Sequence, residues 1–189
     1  MKTSTRRQTV AVIGDRGVAE AAPKYQLARQ LGALLCEHGY CVVTGGLGGI
    51  MEAASRGARE SASWTPGSVI ALLPGFDPEH ANAYADIVIP TGLDHLRNSL
   101  VAQADAVIAI GGGAGTLTEL GLAWMYRRLI IALRVDGWSG ELADRRLDER
   151  VRYENIEDDR VFGADSAEEA VALVKQRLNA YTRRHTGIR

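Results

Sequence analysis

The sequence predicts a three-layer α/β/α domain of the Rossmann-like type, with a mainly parallel sheet. Short apolar, β-branched runs alternate with helical patterns along the chain. This β-α-β-α order is typical of parallel sheets with right-handed crossovers. The strands are almost entirely apolar, as expected when helices cover both faces of a sheet. The length of 189 residues suits one domain spanning 1–189.

In the first half of the chain, four strands and two helices are expected. Gly39 is placed to end the first helix, and Pro74 with Gly75 stops the third strand. In chain order the predicted elements are strand Val10 to Ile13, helix Pro23 to His38, strand Cys41 to Val43, helix Gly49 to Glu60, strand Val69 to Leu73 and strand Ile87 to Ile89.

The second half continues the alternation. A helix from Leu93 to Ala104 is predicted to carry Leu93, Leu96, Leu100 and Ala104 on one side. It is followed by strand Ala106 to Ile110, helix Thr116 to Arg127, strand Leu129 to Leu133 and a C-terminal helix of about 166–181. A capping box, Ser166-Ala-Glu-Glu169, opens that last helix.

Two parts of the chain lie outside this alternation. Residues 1–8 form a basic tail, and its Arg6 and Arg7, like Arg183, Arg184 and Arg189, are interpreted as solvated tail residues. Residues 134–160 are a variable charged segment of weak periodicity. That segment could be a flexible loop, a short helix around Glu141 to Arg150, or a subunit contact.

Bulk composition argues against several classes of function. The formal net charge of −1 provides no basic field for nucleic acid or membranes. The longest apolar runs have strand length, and no secretory signal is evident, so a cytoplasmic location is expected. Cys36 and Cys41 are the only cysteines, and we interpret them as reduced, buried thiols. A metal site using both with His38 would lack a fourth ligand, so none is predicted.

Four segments follow strands or begin helices at one edge of the predicted sheet. Ligands of open α/β sheets bind in the crevice beyond the carboxyl ends of the strands, so these segments should converge. They are Gly14-Asp15-Arg16-Gly17, Thr44-Gly45-Gly46-Leu47-Gly48-Gly49, the start of the Leu93 helix, and Gly111 to Glu119.

The run Gly111-Gly112-Gly113-Ala114-Gly115-Thr116 is the sharpest signal. Glycines let the backbone approach an anion, and the following helix adds unpaired N–H groups. The alternative is a tight turn without a ligand. A second glycine-rich loop at the same edge favours anion binding. Neither loop fits the dinucleotide or Walker patterns, which disfavours nicotinamide, flavin and P-loop proteins.

Glu119 and Arg97 are the candidate chemical groups. Glu119 either forms a capping box with Thr116 as N-cap, or places its carboxylate in the crevice; the spacing alone does not decide between these. Arg97 falls at the same edge and could contact a phosphate or position Glu119. His95 is interpreted as a solvated histidine rather than a general acid or base.

These residues carry a family resemblance that extends from about Val10 to Leu133. Gly112 to Glu119 resembles the P-G-G-x-G-T-x-x-E motif of the LOG (LONELY GUY) proteins, often labelled lysine decarboxylases. The run Asp94 to Asn98, followed by Ala104 to Gly113, is more similar to a sister group that contains the molybdenum-cofactor carrier proteins. Thr44 to Glu52 matches the loop shared by both groups.

The LOG resemblance implies hydrolysis of the N-glycosidic bond of nucleoside 5′-monophosphates, with Glu119 and Arg97 catalytic. It would release a base and ribose 5-phosphate, by chemistry analogous to glycoside hydrolysis. This chain departs from that motif at two positions: Gly111 replaces the motif proline, and Asn98 stands where LOG enzymes have lysine. Both departures favour the carrier-like group.

The carrier resemblance implies a binding protein that needs no cofactor of its own and holds molybdopterin, the molybdenum cofactor, as cargo. A regulatory nucleotide sensor without turnover is a third alternative. The resemblance also implies a homo-oligomer, dimer or tetramer, with Trp124 and Met125 either at the interface or in the core. The predicted ligand-binding residues are Gly14, Gly45, Gly46, Gly48, Gly49, Arg97, Asn98, Gly111, Gly112, Gly113, Gly115, Thr116 and Glu119.

Overall fold

A computed structural model describes residues 6–182. Its strands are β1 (Thr9–Gly14), β2 (Cys41–Thr44), β3 (Val69–Leu73), β4 (Ile87–Pro90), β5 (Ala106–Ile110), β6 (Leu129–Leu133) and β7 (Phe162–Ala164). Its helices are α1 (Pro23–Glu37), α2 (Ile50–Glu60), α3 (Asn98–Val101), α4 (Ala114–Met125), α5 (Trp138–Leu142) and α6 (Ala167–Arg177). Short 3₁₀ helices occur at Pro78–His80, Asp94–Arg97 and Leu178–Ala180.

The strands form one seven-stranded sheet in the order β4-β3-β2-β1-β5-β6-β7. Every neighbouring pair is parallel. The strand order reverses at β1, where Val10 is in register with Val42 on one side and Ala106 on the other. The fold class is therefore confirmed, and the reversal places a topological switch point between β1 and β5.

The core lies on both faces of the sheet. Along β1, Val10 and Val12 face a cluster built from α1, α2 and α6. Ala11 and Ile13 face a second cluster that includes residues of α3 and α4. All four side chains are essentially inaccessible to solvent. This explains why the central strand is apolar from Val10 to Ile13 rather than alternating with polar residues.

Helices α1 and α2 pack closely through two glycines. A Cβ at Gly32 would lie 2.0 Å from the carbonyl oxygen of Ala54, and one at Gly57 would lie 1.7 Å from that of Arg29. No larger residue fits either position without separating the helices. The contact fixes α2, and with it the glycine-rich loop that precedes it.

The helix predicted for Leu93 to Ala104 is wrong in its extent and its buried side. The chain makes the 3₁₀ helix Asp94–Arg97 and then the four-residue α3. Arg97 and Asn98 occupy the buried side. Of the four residues predicted to share the apolar side, Ala104 is buried, and the three leucines are exposed: Leu93, Leu96 and Leu100. Polar residues take the inward positions because they face the crevice described below.

Of the alternatives for segment 134–160, a short helix is found, but it lies earlier than Glu141 to Arg150. Its helix, α5, is only Trp138–Leu142. It begins after Gly137, whose φ of 114° is a conformation available mainly to glycine. The strand β7 that follows the segment was missed, since three residues are too few for a periodicity to appear.

The N-terminal end of the described chain is bonded to the domain. Arg6 contacts the Asp105 carboxylate through two nitrogens, each 2.7 Å from an oxygen, and Arg7 Nη1 lies 3.3 Å from Ser68 Oγ. Both arginines are exposed, as expected of tail residues, but they are also bonded to the body of the domain. Residues 1–5 and the arginines at 183, 184 and 189 lie outside the described residues.

Two smaller expectations hold. Ser166 caps α6, because its Oγ accepts a hydrogen bond from the Glu169 N–H at 3.2 Å. Cys36 and Cys41 are buried and unpaired. Among residues 6–182, no helix has the length and apolar character needed to cross a bilayer.

Candidate functional site

A cavity of about 320 Å³ lies at the carboxyl ends of β1 and β5, at the switch point of the sheet. All four segments expected to converge contribute to its wall. The lining residues are Ile13, Gly14, Asp15, Arg16, Leu47, Met51, Pro74, Asp94, His95, Arg97, Asn98, Gly113, Gly115, Thr116 and Glu119.

The predicted binding residues divide into two sets. Those that line the cavity are Gly14, Arg97, Asn98, Gly113, Gly115, Thr116 and Glu119. The others lie behind the wall or beside it: Gly45, Gly46, Gly48, Gly49, Gly111 and Gly112. The second glycine-rich loop reaches the cavity through Leu47, a residue type that carries no sequence signal for ligand binding.

The buried glycines have packing reasons of their own. A Cβ at Gly45 would lie 2.4 Å from Arg97 Nη1 and 2.7 Å from Met51 Sδ, so Gly45 makes room for the arginine. Gly112 has a φ of 97°, and a Cβ added at this position would lie only 2.3 Å from Thr116 Oγ1. These glycines shape the wall and hold its side chains in place.

Gly113 and Gly115 form the open part of the wall. Both are exposed, and a Cβ at either position would have no atom within 4 Å. Gly113 is the N-cap of α4, with no side chain capping the helix. The N–H groups of the first turn have no partners within a helix, and the helix dipole makes this end positive. This turn can therefore receive an anion.

Glu119 is not part of a capping box. Helix α4 begins at Ala114, which makes Thr116 its third residue rather than its N-cap. Glu119 lies one turn further on, buried, and lines the cavity. The capping interpretation is wrong because the helix starts two residues earlier than predicted.

Arg97 and Glu119 form a buried pair of opposite charge at loose distance. Arg97 Nη1 and Glu119 Oε1 are 3.6 Å apart, and the side chains are 9% and 10% exposed. Arg97 Nε is buried without a hydrogen-bond partner in the described structure. The pair thus leaves a buried N–H donor of Arg97 without an acceptor. This lowers the stability of the fold unless a ligand supplies the acceptor.

Burial dominates the protonation of both groups. Desolvation raises the pKa of Glu119 to about 7, although the Arg97 charge opposes this shift. Desolvation also lowers the pKa of Arg97, against the opposing effect of Glu119. Glu119 is therefore a carboxyl group that can exchange a proton near neutral pH, as groups in catalytic and binding sites often do.

The start of the variable segment supports the glycine loop from behind. The Gly111 N–H donates to Ser139 Oγ at 2.7 Å, and that hydroxyl donates to the Leu133 carbonyl at the same distance. The Ser139 and Trp138 N–H groups donate to the Gly111 and Gly112 carbonyls, each at 3.0 Å. The Gly111 amide is thus already bonded within the protein, so the free amides of the loop come after it.

Further polar groups lie in or near the wall of the cavity. Asn98 Nδ2 is 3.5 Å from the Gly115 carbonyl and links α3 to the glycine loop. Lys24 Nζ bridges the Asp15 carboxylate at 2.9 Å and the Asp136 carbonyl at 2.8 Å. The His95 side chain is 94% exposed, which agrees with its interpretation as a solvated residue.

Comparison with known proteins places these features in a family. The model of the SLOG cluster4 family matches residues 7–171. A cytokinin riboside 5′-monophosphate phosphoribohydrolase of Mycobacterium marinum is 32% identical, over 79% of this chain and 87% of the relative.

Two solved structures share the fold closely. The molybdenum cofactor binding protein of Rippkaea orientalis superposes with a TM-score of 0.73 at 33% identity, over 92% of this chain and 98% of that one. The molybdenum cofactor carrier protein of Chlamydomonas reinhardtii has a TM-score of 0.72 at 28% identity, over 92% and 99%. The resemblance stated from the glycine motifs, to LOG proteins and to cofactor carriers, is confirmed.

Proposed function

This chain belongs to the SLOG cluster4 family, and from that premise we propose that it is a binding protein for a small phosphorylated ligand of nucleotide or pterin type. The phosphate would lie on the turn Gly113 to Thr116. One observation carries the proposal: an open helix N-terminus faces the same cavity as a buried arginine whose Nε lacks a partner. A phosphate supplies the acceptors that both are missing.

The charge of Glu119 is compatible with this arrangement. A carboxylate beside a phosphate would repel it, but burial raises the pKa of Glu119 to about 7. The group can therefore take up a proton when an anion enters, and a protonated carboxyl donates a hydrogen bond instead of repelling. We expect phosphate binding to raise the Glu119 pKa further.

A carrier role is favoured by the backbone at Gly111. Its φ of 66° and its N–H bond to Ser139 are both impossible for proline, which has φ near −65° and no N–H. The replacement of the motif proline by Gly111 is therefore a difference in loop conformation. In this role the protein holds molybdopterin as cargo, with its terminal phosphate on the glycine turn.

Hydrolysis of a nucleoside 5′-monophosphate is the second candidate, and the Arg97–Glu119 pair favours it. A buried carboxylate beside a sugar can stabilise positive charge that develops at the anomeric carbon and can orient a water molecule. Arg97 would position Glu119 and hold it partly ionised. The two candidates use the same cavity and differ in whether a bond is broken.

One experiment separates the candidates. Purified protein is incubated with AMP, GMP or a pterin phosphate, and both the melting temperature and the release of ribose 5-phosphate are measured. A carrier is stabilised without turnover, by about 2.7 kcal/mol when the ligand is at 100 times its Kd. Turnover that is lost in Glu119→Gln would establish the hydrolase instead. No stabilisation by any of these ligands would count against both.

We also propose that the protein is a homo-oligomer. Apolar side chains are exposed at the 3₁₀ helix Asp94–Arg97 and the residue before it, at α3 and at the end of α4, while Trp124 is buried in the core. The exposed residues are Leu93, Leu96, Leu100 and Met125. A group of exposed apolar side chains of this kind is typical of subunit contacts. Light scattering should give a smaller mass for Leu96→Asp than for wild type, and Val151→Asp, at another exposed site, should leave the mass unchanged.

A further inference from the structure

A second, larger cavity adjoins the candidate site. Its volume is about 580 Å³, and it shares four lining residues with the first cavity: Arg16, Leu47, Pro74 and Asp94. Leu73, Pro74 and Leu47 make part of its wall apolar, and Asp77 and His80 add polar groups. The two cavities therefore form one continuous crevice with a charged end and a more apolar end.

An aromatic ring at the apolar end is held in place although it is exposed. Phe76 lines the second cavity and is 85% exposed. Its ring lies directly on the backbone of Gly92, where a Cβ would come within 2.2 Å of a ring carbon. Gly92 also has a φ of 64°, so this close approach needs glycine for two reasons.

Hydrogen bonds join the two loops that carry this ring and its support. The Gly92 N–H donates to the Gly75 carbonyl and the Asp94 N–H to the Pro74 carbonyl, each at 3.0 Å. Thr91 Oγ1 donates to the Leu73 carbonyl at 2.7 Å. Asp94, at the junction of the cavities, has a φ of 47°, which is uncommon outside glycine. The wall is thus a built surface rather than a loose loop.

We propose that the second cavity is the subsite for the planar heteroaromatic ring of the ligand, which stacks on Phe76. This inference rests on the proposed function, which places the phosphate at the glycine turn of the first cavity. The exposed face of Phe76 offers stacking to any flat ring. Arg16, shared by both cavities, is placed to contact the linker between ring and phosphate.

Calorimetry with three probes tests the inference. GMP and AMP carry a planar ring and a phosphate, whereas ribose 5-phosphate carries the phosphate without the ring. Wild type should bind the nucleotides at least tenfold more tightly than ribose 5-phosphate, since stacking of a base on an aromatic side chain has about that effect. Phe76→Ala should remove most of this preference and leave the affinity for ribose 5-phosphate unchanged.

Controls make the outcome specific to the ring. Phe76→Tyr keeps the aromatic face and should keep the preference, and Val151→Ala trims an exposed apolar residue outside both cavities and should change nothing. A preference for nucleotides that survives Phe76→Ala would overturn the inference while leaving the proposed function intact. Failure of wild type to bind any of the three probes, or a pterin phosphate added as a fourth, would overturn both.

Discussion

Two buried arginine–carboxylate pairs among residues 6–182 differ in how completely they are bonded. Arg152 and Asp159 are 0% and 2% exposed in their side chains. Arg152 Nε donates to Asp159 at 2.8 Å and its Nη1 to the Arg128 carbonyl at 3.0 Å. The guanidinium carbon lies 3.7 Å from the centre of the Trp124 ring, and the Tyr181 hydroxyl donates to Asp159 at 2.8 Å.

The Arg97–Glu119 pair has few of these contacts. Its closest distance is 3.6 Å, Arg97 Nε has no partner in the described chain, and no hydrogen bond to the Glu119 carboxylate is found among residues 6–182. Burial without bonding raises the pKa of Glu119 to about 7. Burial of charged groups without hydrogen bonds destabilises the folded state. Such groups are typical of sites where a ligand supplies the missing bonds.

The difference separates a structural pair from a candidate functional pair. Arg152 joins the irregular part of segment 134–160 to α4 and to the chain before β6, through groups that are all satisfied within the protein. Arg97 and Glu119 line a cavity and stay incomplete. Two pairings of arginine with a carboxylate thus differ in their bonding, and sequence alone does not distinguish them.

The largest expected effect is on stability. Arg152→Met should lower the free energy of unfolding by about 3–5 kcal/mol, because Asp159 is left buried without its cation. Arg97→Met should lower it by less, since Glu119 can take up a proton and become neutral. Urea denaturation at pH 7 measures both. Equal losses for the two variants would contradict the distinction between the pairs.

The pH dependence of Glu119 should have a defined sign. Its pKa is raised in the folded state, from 4.5 to about 7, so the folded protein holds this proton more tightly than the unfolded chain. The stability of wild type relative to Glu119→Gln should therefore fall as pH rises from about 4.5 to 7, by roughly 3 kcal/mol in all.

Urea titrations of both proteins at several pH values, from roughly 4 to 8, check this expectation. Glu154→Gln, at an exposed position, removes the same charge and serves as the control. A stability difference that stays flat or rises across this window would show that folding does not raise the pKa of Glu119.

Removal of the support behind the glycine loop should have an intermediate effect. Ser139→Ala leaves the buried Gly111 N–H and the Leu133 carbonyl without the hydroxyl that joins them. We expect a loss of about 1–3 kcal/mol, the cost of an unsatisfied buried polar group. Ser63→Ala, in a loop remote from the site, gives the comparison, and equal unfolding midpoints for the two variants would argue against a supporting role for Ser139.

The smallest stability effect is expected at the open wall. Gly113 has a φ of −102°, and a Cβ there meets nothing within 4 Å, so Gly113→Val should change stability by less than about 0.5 kcal/mol. The valine side chain would occupy the space in which we propose that the phosphate lies, so the affinity for AMP should fall at least tenfold. Unchanged affinity, measured by calorimetry, would place the phosphate elsewhere.

Much of the sheet could be predicted because its strands are continuous apolar runs. Val69–Leu73, Ala106–Ile110 and Leu129–Leu133 are found at the predicted bounds. The prediction fails where a segment is short or where polar residues point inward. At Asp94–Val101 the leucine periodicity suggests a buried leucine face. Arg97 and Asn98 are buried instead, because they line the crevice.

The candidate site was only partly predictable, for a related reason. Its glycine turn and the pair Arg97 and Glu119 follow from local signals and from the rule that strand ends converge. Ser139 and Phe76 have no local signal. Ser139 acts on Gly111 across 28 positions of sequence, and Phe76 depends on the conformation of Gly92.

The sequence by itself determined the class of fold, the edge of the sheet at which the candidate site lies, and the residue types available there, because periodicity and glycine placement are local properties of a chain. Only the tertiary structure decided which glycines face the cavity, which amides remain free and that Glu119 does not cap its helix. These outcomes depend on where α4 begins and on what packs against the loop. They are set by contacts between residues far apart in sequence, through burial and hydrogen bonding, and such contacts leave no local pattern.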